Sequence, residues 1–309
     1  MKVAISGASG FVGSSLVPFL QRGSHETTSL VRMKSARSRR LGTQGQAGRG
    51  EVRWDPESGS IDLAGLEGHD AVIHLAGENI AGGRWTKSRK ERILKSRSQG
   101  TRLLAESLAK LAHPPRVLIS VSGVNYYGDR GDTILTEDSP SGEGFLSEVC
   151  RQWEAATKPA SERGIRVVIL RNGVVLGKGG GILGKMLPPF RMGVGGKVGS
   201  GKQYYSWIAM EDLLGIMEYA MKNERLRGPA NAVAPNPVTN QEFTRTLGKV
   251  LSRPTIFPLP TVAAKLAFGE MADEMLLASA RVVPAKLQAA GYAFRFPDLE
   301  GALRHLLLK

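Results

Sequence analysis

The opening MKVAISGASGFVGSSL constrains the fold more than any other stretch of the chain. A short run, Lys2 to Ser6, gives way to a helical pattern from Phe11 to Arg22, and Gly7, Gly10 and Gly13 occupy the turn between them. Glycine has no Cβ, so it takes a positive φ and lets another group come close to the backbone. Three glycines where a strand becomes a helix leave room for a guest at the helix's free N–H groups, and a phosphate or pyrophosphate suits that place. The spacing G-x-x-G-x-x-G departs from the G-x-G-x-x-G fingerprint of many dinucleotide-binding chains. The strand before and the helix after therefore carry this reading against that of a plain tight turn. Gly7, Ser9, Gly10, Phe11, Val12 and Gly13 are the expected contacts. Pro18 lacks the N–H that a helix needs and is expected to kink it.

The next strand, ETTSLVR, ends at Arg32. Chains that prefer NAD place an acid about here, roughly 20 residues past the glycines, to hold the ribose hydroxyls. A guanidinium in that place offers a planar fork to a 2′-phosphate, with Lys34 close behind, and predicts NADP(H) as cofactor. Arg37, Arg39 and Arg40 complete a basic cluster that reads equally as a solvated loop. Farther on come EVRW, with Asp55 after it counted among the cofactor contacts, and DAVIHLAG, a continuous apolar run of the kind buried on both faces of a parallel sheet. A long helix is expected from about Thr86 to Leu111, then the strand RVLISVS, a helix from about Gly144 to Glu162 and the strand IRVVILR. Strands alternating with helices imply right-handed crossovers and an α/β, doubly wound parallel-sheet Rossmann fold. Ligands of such sheets lie beyond the carboxyl ends of the strands. That rule singles out Leu75, Ala76, Gly77 and Glu78 after one strand, Ser122 after another and Asn172 after a third.

Past about Arg227, Pro-rich joints separate short helical runs, so a smaller C-terminal substrate lobe is expected. The dinucleotide-binding domain then takes residues 1–172 and about 206–227, and the lobe about 173–205 and 228–309. Lys and Arg number 42 against 28 Asp and Glu, a net charge of +14; charge alone suggests nucleic acid, and an anionic small molecule is expected instead. No apolar run approaches the roughly 20 residues of a membrane span. The first strand starts too early for a signal peptide, and the single Cys150 allows no internal disulfide. These features predict no membrane association and a cytoplasmic or other reducing compartment. The five histidines show no ligand spacing, and no metal is expected.

SGASGFVG, VIHLAG, SGVNYYG and WIAMEDL resemble the cofactor turn, fourth strand, fifth-strand end and late strand-to-helix junction of the extended short-chain dehydrogenase/reductases, the group of sugar-nucleotide epimerases and dehydratases. GGGILGKMLPPFRMGVGGKVGSGKQYYSWI with VVPAKLQAAGYAFRFPDLEGAL is similar, more closely, to an atypical branch, the NAD-dependent epimerase/dehydratase-like proteins of the 39U type. The likeness covers essentially the whole chain. It implies a serine or threonine, a tyrosine acting as general acid and base, a lysine four residues on that lowers the tyrosine pKa, and often an asparagine on the fourth helix.

Ser122 matches the serine. The tyrosine and lysine positions fall in GFLSEVCRQWE: anchored on Glu154 they are Leu146 and Cys150, and shifted by one they are Phe145 and Val149. The asparagine position holds Arg97. Tyr126 and Tyr127, Glu78 and Arg97 are the candidate substitutes, although one tyrosine is expected to pack and Glu78 also suits a loop cap. Cys150 reads as a small buried hydrophobe. Lys185, Arg191, Lys197 and Lys202, with Tyr204, Tyr205 and Trp207, are expected either to hold a diphosphate or carboxylate or to form an oligomer contact such as that of a homodimer. The resulting expectation is an NADP(H)-dependent, epimerase-like oxidoreductase acting on a small, anionic carbonyl or sugar-nucleotide substrate. The alternative is a non-catalytic NADP(H)-binding sensor or scaffold.

Overall fold

The computed structural model describes residues 1–32 and 50–308, so Lys34, Arg37, Arg39 and Arg40 lie outside the described residues. Its frame is one sheet built from β1 (Lys2–Ser6), β2 (Glu26–Arg32), β3 (Glu51–Asp55), β4 (Ser60–Ile61), β5 (Ala71–His74), β6 (Val117–Gly123), β7 (Arg166–Asn172) and β8 (Gly228–Ala232). The order is β8-β7-β6-β5-β1-β2-β3-β4. All neighbours run parallel except the β3–β4 hairpin, where Trp54 faces Ile61. The helices used below are α1 (Gly13–Arg22), α2 (Lys87–Lys110), α3 (Phe145–Ala155), α4 (Lys158–Glu162), α5 (Gly181–Arg191) and α6 (Met210–Lys222).

Successive strand residues point to opposite faces, and here both faces are apolar. Val3, Ile5, Ile73, Ile119 and Leu170 pack against Leu16 and Leu20 of α1 and Leu213, Ile216 and Met217 of α6. Ala4, Val72, Leu118 and Ile169 pack against Leu104, Ala105 and Leu108 of α2. Helices on both faces are what a parallel sheet requires. A separate core gathers Phe243, Leu247, Leu303 and Leu306 round Trp207 and Leu176. No helix among the described residues is long and apolar enough to cross a membrane.

Three expectations are corrected. The helix expected over 144–162 is two helices, α3 and α4, because Pro159 at the start of α4 has no N–H to bond back to Ala155. The first helix, α1, begins at Gly13 instead of Phe11, with Pro18 inside it. Residues 228–232, expected in the lobe, form β8 and extend the main sheet, with Ala230 and Ala232 fully buried beside β7. That strand is short and built from small residues, so it carries little of the apolar signal that marks the other strands.

At the end of β5, His74 is fully buried between two hydroxyls, with Nδ1 2.6 Å from Ser6 and Nε2 2.9 Å from Thr101. Its ring meets Trp54 edge to face, centroids 5.9 Å apart. Burial, and secondarily the charge of Arg97, push its pKa from the ordinary 6.5 down to about 4. The folded protein therefore keeps His74 neutral where the unfolded chain takes a proton. The stability is fully present above about pH 6.5 and is lost progressively as the pH falls to about 4. A shift of this size corresponds to on the order of 3 kcal/mol. Denaturant unfolding of the protein and of His74→Gln across this range should show the variant with the flatter pH dependence; parallel curves would assign the acid sensitivity elsewhere.

Candidate functional site

Ser6, the last residue of β1, ties two strand ends together. Its hydroxyl accepts from the N–H groups of Leu75 and Ala76 at 3.2 and 3.4 Å, so the glycine turn and the turn after β5 lie side by side. Gly7 takes a φ of +72°, and a Cβ there would stand 2.9 Å from the Ala76 nitrogen. A Cβ on Gly13 would land on the Gly7 carbonyl oxygen. Protein atoms thus explain two of the three glycines. Gly10 differs: it is exposed, and an added Cβ would meet only the Gly7 oxygen, at 3.3 Å. A glycine that protein leaves open fits a cradle in which a ligand occupies the space, and the first N–H groups of a helix suit a pyrophosphate there.

Ser9 is exposed like Gly10, and Val12 caps the start of α1. Phe11 reaches the other way, and its ring lies on Gly177, Gly180 and Gly181, where added Cβ atoms would come within 3.0, 2.6 and 2.8 Å of it. Arg32 ends β2 with its side chain exposed, in register with Trp54 of β3. Asp55 serves its own turn, accepting from the Glu57 N–H at 3.1 Å and the Ser58 hydroxyl at 2.9 Å.

A cleft of about 550 Å³ runs from Phe11 past the ends of β6 and β7 to the lobe. Asn125, Leu146, Ser147, Asn172, Tyr204, Tyr205 and the π-helical segment Ala272–Leu277 contribute to its wall. Asn172 Oδ1 is buried without a partner among the described residues, an acceptor that a ligand N–H would satisfy. Ser147, which the sequence reading passed over, donates to the carbonyls of Asn125 and Glu143 at 2.8 and 2.9 Å. Glu274 was also missed. Its two carboxylate oxygens accept from the Phe145 and Leu146 N–H groups, each at 2.7 Å, and so cap α3 from the lobe. The available signal was a helix beginning after Gly144 with no capping side chain of its own.

The structure does not gather Ser122, Tyr126, Tyr127, Glu78 and Arg97 at this cleft; none of them lines it. Ser122 is turned inward, 3 % exposed, and donates to Glu154 at 2.9 Å. The same carboxylate holds Arg171 bidentately, at 2.9 and 2.8 Å. Arg171 in turn donates to the Tyr127 hydroxyl at 2.9 Å and lies 3.4 Å from the ring centre of Tyr126. Burial opposes the charge on Arg171, but Glu154 and Tyr127 outweigh it and raise its pKa. The Tyr127 hydroxyl also donates to Asn231 at 2.7 Å, and burial lifts its pKa to about 12 despite Arg171. These groups hold the floor of the cleft, which corrects the expectation of Ser122 beside a substrate-facing Tyr127.

Glu78 stands 3.9 Å from Arg89, half exposed. Arg97 is buried behind Gly77, donates to the Ile93 carbonyl at 3.2 Å and lies 5.0 Å from the Trp153 ring centre. Of the two registers for the tyrosine and lysine positions, the one anchored on Glu154 reaches the site: Leu146 lines the cleft and Cys150 touches the Gly123 carbonyl at 3.7 Å. Burial pushes the Cys150 thiol up to about 11. Lys185 donates to the Ala81 carbonyl and Lys197 to that of Ser200, and Trp207 is fully buried; neither these nor Arg191 and Lys202 line the cleft.

Residues 3–233 match the NAD dependent epimerase/dehydratase family, and residues 259–306 match a domain of unknown function, DUF1731. The chain is 41% identical over 301 residues to an epimerase family protein of Mycobacterium tuberculosis, covering 97% of this chain and 96% of that protein. It superposes on the crystal structure of human epimerase family protein SDR39U1 with NADPH at a TM-score of 0.89, with 37% identity and full coverage of both chains. UDP-glucuronic acid 4-epimerase from Bacillus cereus, in complex with NAD, shares the fold at a TM-score of 0.74 and 18% identity, over 98% of this chain and 96% of that one.

Glu154→Ala leaves Arg171 buried without its carboxylate and is expected to lower the unfolding free energy by about 3–5 kcal/mol. Ser122→Ala removes one hydrogen bond and should cost about 1 kcal/mol. Urea titration of the two variants reads the difference, and equal losses would show that the ion pair does not organise this floor.

Proposed function

The chain belongs to the NAD dependent epimerase/dehydratase family, and from that premise we propose that it binds NADPH over Gly10 and passes hydride between the nicotinamide and a carbon of a small carbonyl or alcohol substrate held in the cleft. Gly10 carries the cofactor half of this reading, because it is the one glycine of the three whose open side no protein atom explains. Arg32 favours NADPH over NADH: a guanidinium at the end of β2 attracts a 2′-phosphate that an acid in that place would repel. The human relative crystallised with NADPH supports the same choice. Asn172 would accept from the carboxamide N–H of the nicotinamide, its buried oxygen being free for a donor. When bound, the cofactor supplies or takes up the hydride.

Arg97 would keep a positive charge close to the site. Burial lowers its pKa to about 10, against the opposing pull of Cys150 and Glu78, so it stays charged at neutral pH. Cys150, at the lysine position, cannot carry such a charge. The same observation favours a second reading, a cofactor-binding sensor or scaffold without turnover: Leu146 and Cys150 stand where the resemblance places tyrosine and lysine, and Tyr127 titrates too high to serve at neutral pH.

NADPH is expected to bind at least about tenfold more tightly than NADH, and Arg32→Ala to remove most of that preference, as for one charge-assisted contact. Fluorescence titration measures both, and equal affinities in the unaltered protein would sink the assignment. Gly10→Val should stay folded by circular dichroism yet lose NADPH, placing a side chain where the pyrophosphate lies. Transfer of deuteride from labelled NADPH to a panel of ketones separates the oxidoreductase from the sensor.

A further inference from the structure

We infer that the cleft takes a substrate with no phosphate and no net negative charge, a neutral or cationic molecule with an apolar body. The inference rests on reading this cleft as the substrate site, and it replaces the anionic substrate expected from the basic composition. Among the described residues lining the cleft, four are carboxylates, Asp129, Glu143, Asp273 and Glu274, and none is lysine or arginine. An anion entering here meets like charges well inside the screening length of about 8–10 Å at physiological salt.

These carboxylates are largely uncompensated. Asp273 has Lys265 at 2.8 Å, but both side chains are about half exposed, so the pair is weak. Asp129 accepts from the Gly131 and Ser279 N–H groups, at 3.3 and 3.1 Å. Such donors satisfy lone pairs without cancelling the charge. Glu143 is exposed.

A diphosphate also lacks its usual seat. The N–H groups that start α3 face the cleft, and Glu274 already takes two of them at 2.7 Å. The chain thus places its own carboxylate where a substrate anion would bind. Among the described residues near the cleft, Arg151 is held by Glu148 and the Gly142 carbonyl, Arg130 donates to the Tyr127 and Pro140 carbonyls, Arg97 lies behind Gly77, and Arg281 lies 4.9 Å from the ring centre of Tyr204. Apolar side chains supply much of the remaining wall, among them Phe11, Val124, Leu146, Val175 and Ile182. A carbonyl compound with an aromatic or aliphatic body fits such a wall, and an ammonium group on it would find the carboxylates.

The test is calorimetric titration with three ketones of one shape and different charge: (4-acetylphenyl)acetate, 4-methylacetophenone and 4-acetylbenzylamine, with uridine diphosphate as the anionic reference. The amine is expected to bind about tenfold or more tightly than the acetate, with the neutral ketone between them, and uridine diphosphate to give no saturable heat. Glu143→Lys, an exposed change, should shrink the advantage of the amine severalfold. Tighter binding of the acetate or of uridine diphosphate than of the amine overturns the inference, and so does the absence of binding by both the amine and the neutral ketone. Titrations with and without NADPH keep the two readings apart: failure of NADPH to bind overturns the cofactor assignment, while the charge preference is still read on the cofactor-free protein.

Discussion

Arg171, a buried guanidinium, is paired with the carboxylate of Glu154. Arg171 is 2 % exposed at the end of β7, and removing its partner would strand a charge in an apolar surround. Much of the site's geometry depends on this pair. Glu154 lies on the last turn of α3, so the pair fixes the rotation of that helix against the sheet, and with it the places of Leu146 and Cys150. It also collects the Ser122 hydroxyl from β6, the Tyr127 hydroxyl and, through Tyr127, Asn231 of β8. One ion pair thereby joins three neighbouring strands and a helix beneath the cleft.

That arrangement changes what the polar residues after β6 can do. A serine and two tyrosines in sequence suggest proton transfer, since such chemistry needs hydroxyls near a strand end. Here Ser122 bonds Glu154, the Tyr127 hydroxyl bonds Arg171 and Asn231, and the Tyr126 ring lies against the Arg171 guanidinium, as buried polar atoms need partners. The polar groups that line the cleft are amides, short hydroxyls, carboxylates and the phenols of Tyr204 and Tyr205.

What could be read from the sequence was what is local. The glycine turn, the run 71–74, the long helix α2 and the strands β6 and β7 each announce themselves within a few residues, through periodicity or through glycine. The two registers for α3 differ in what they bring to the cleft, since Leu146 lines it and Phe145 does not, and no local pattern shows this. Glu274 stayed invisible because the helix it caps lies 128 and 129 residues away, and no local pattern records a cap delivered from another lobe. Net charge is silent in a similar way: a value of +14 says how many cations there are, not which wall they face.

The cap that Glu274 places on α3 makes the two walls of the cleft mechanically dependent. Moving the π-helical segment outward would strip the Phe145 and Leu146 N–H groups of their acceptor, and the first turn of α3, which carries Leu146 into the cleft, would loosen with it. Widening the entrance and softening the far wall are therefore a single event. A lost helix cap costs about 1 kcal/mol. If that contact were the whole free-energy difference between the closed and open forms, roughly one molecule in six would stand open at any moment, so access to the cleft need not wait for a ligand to force it.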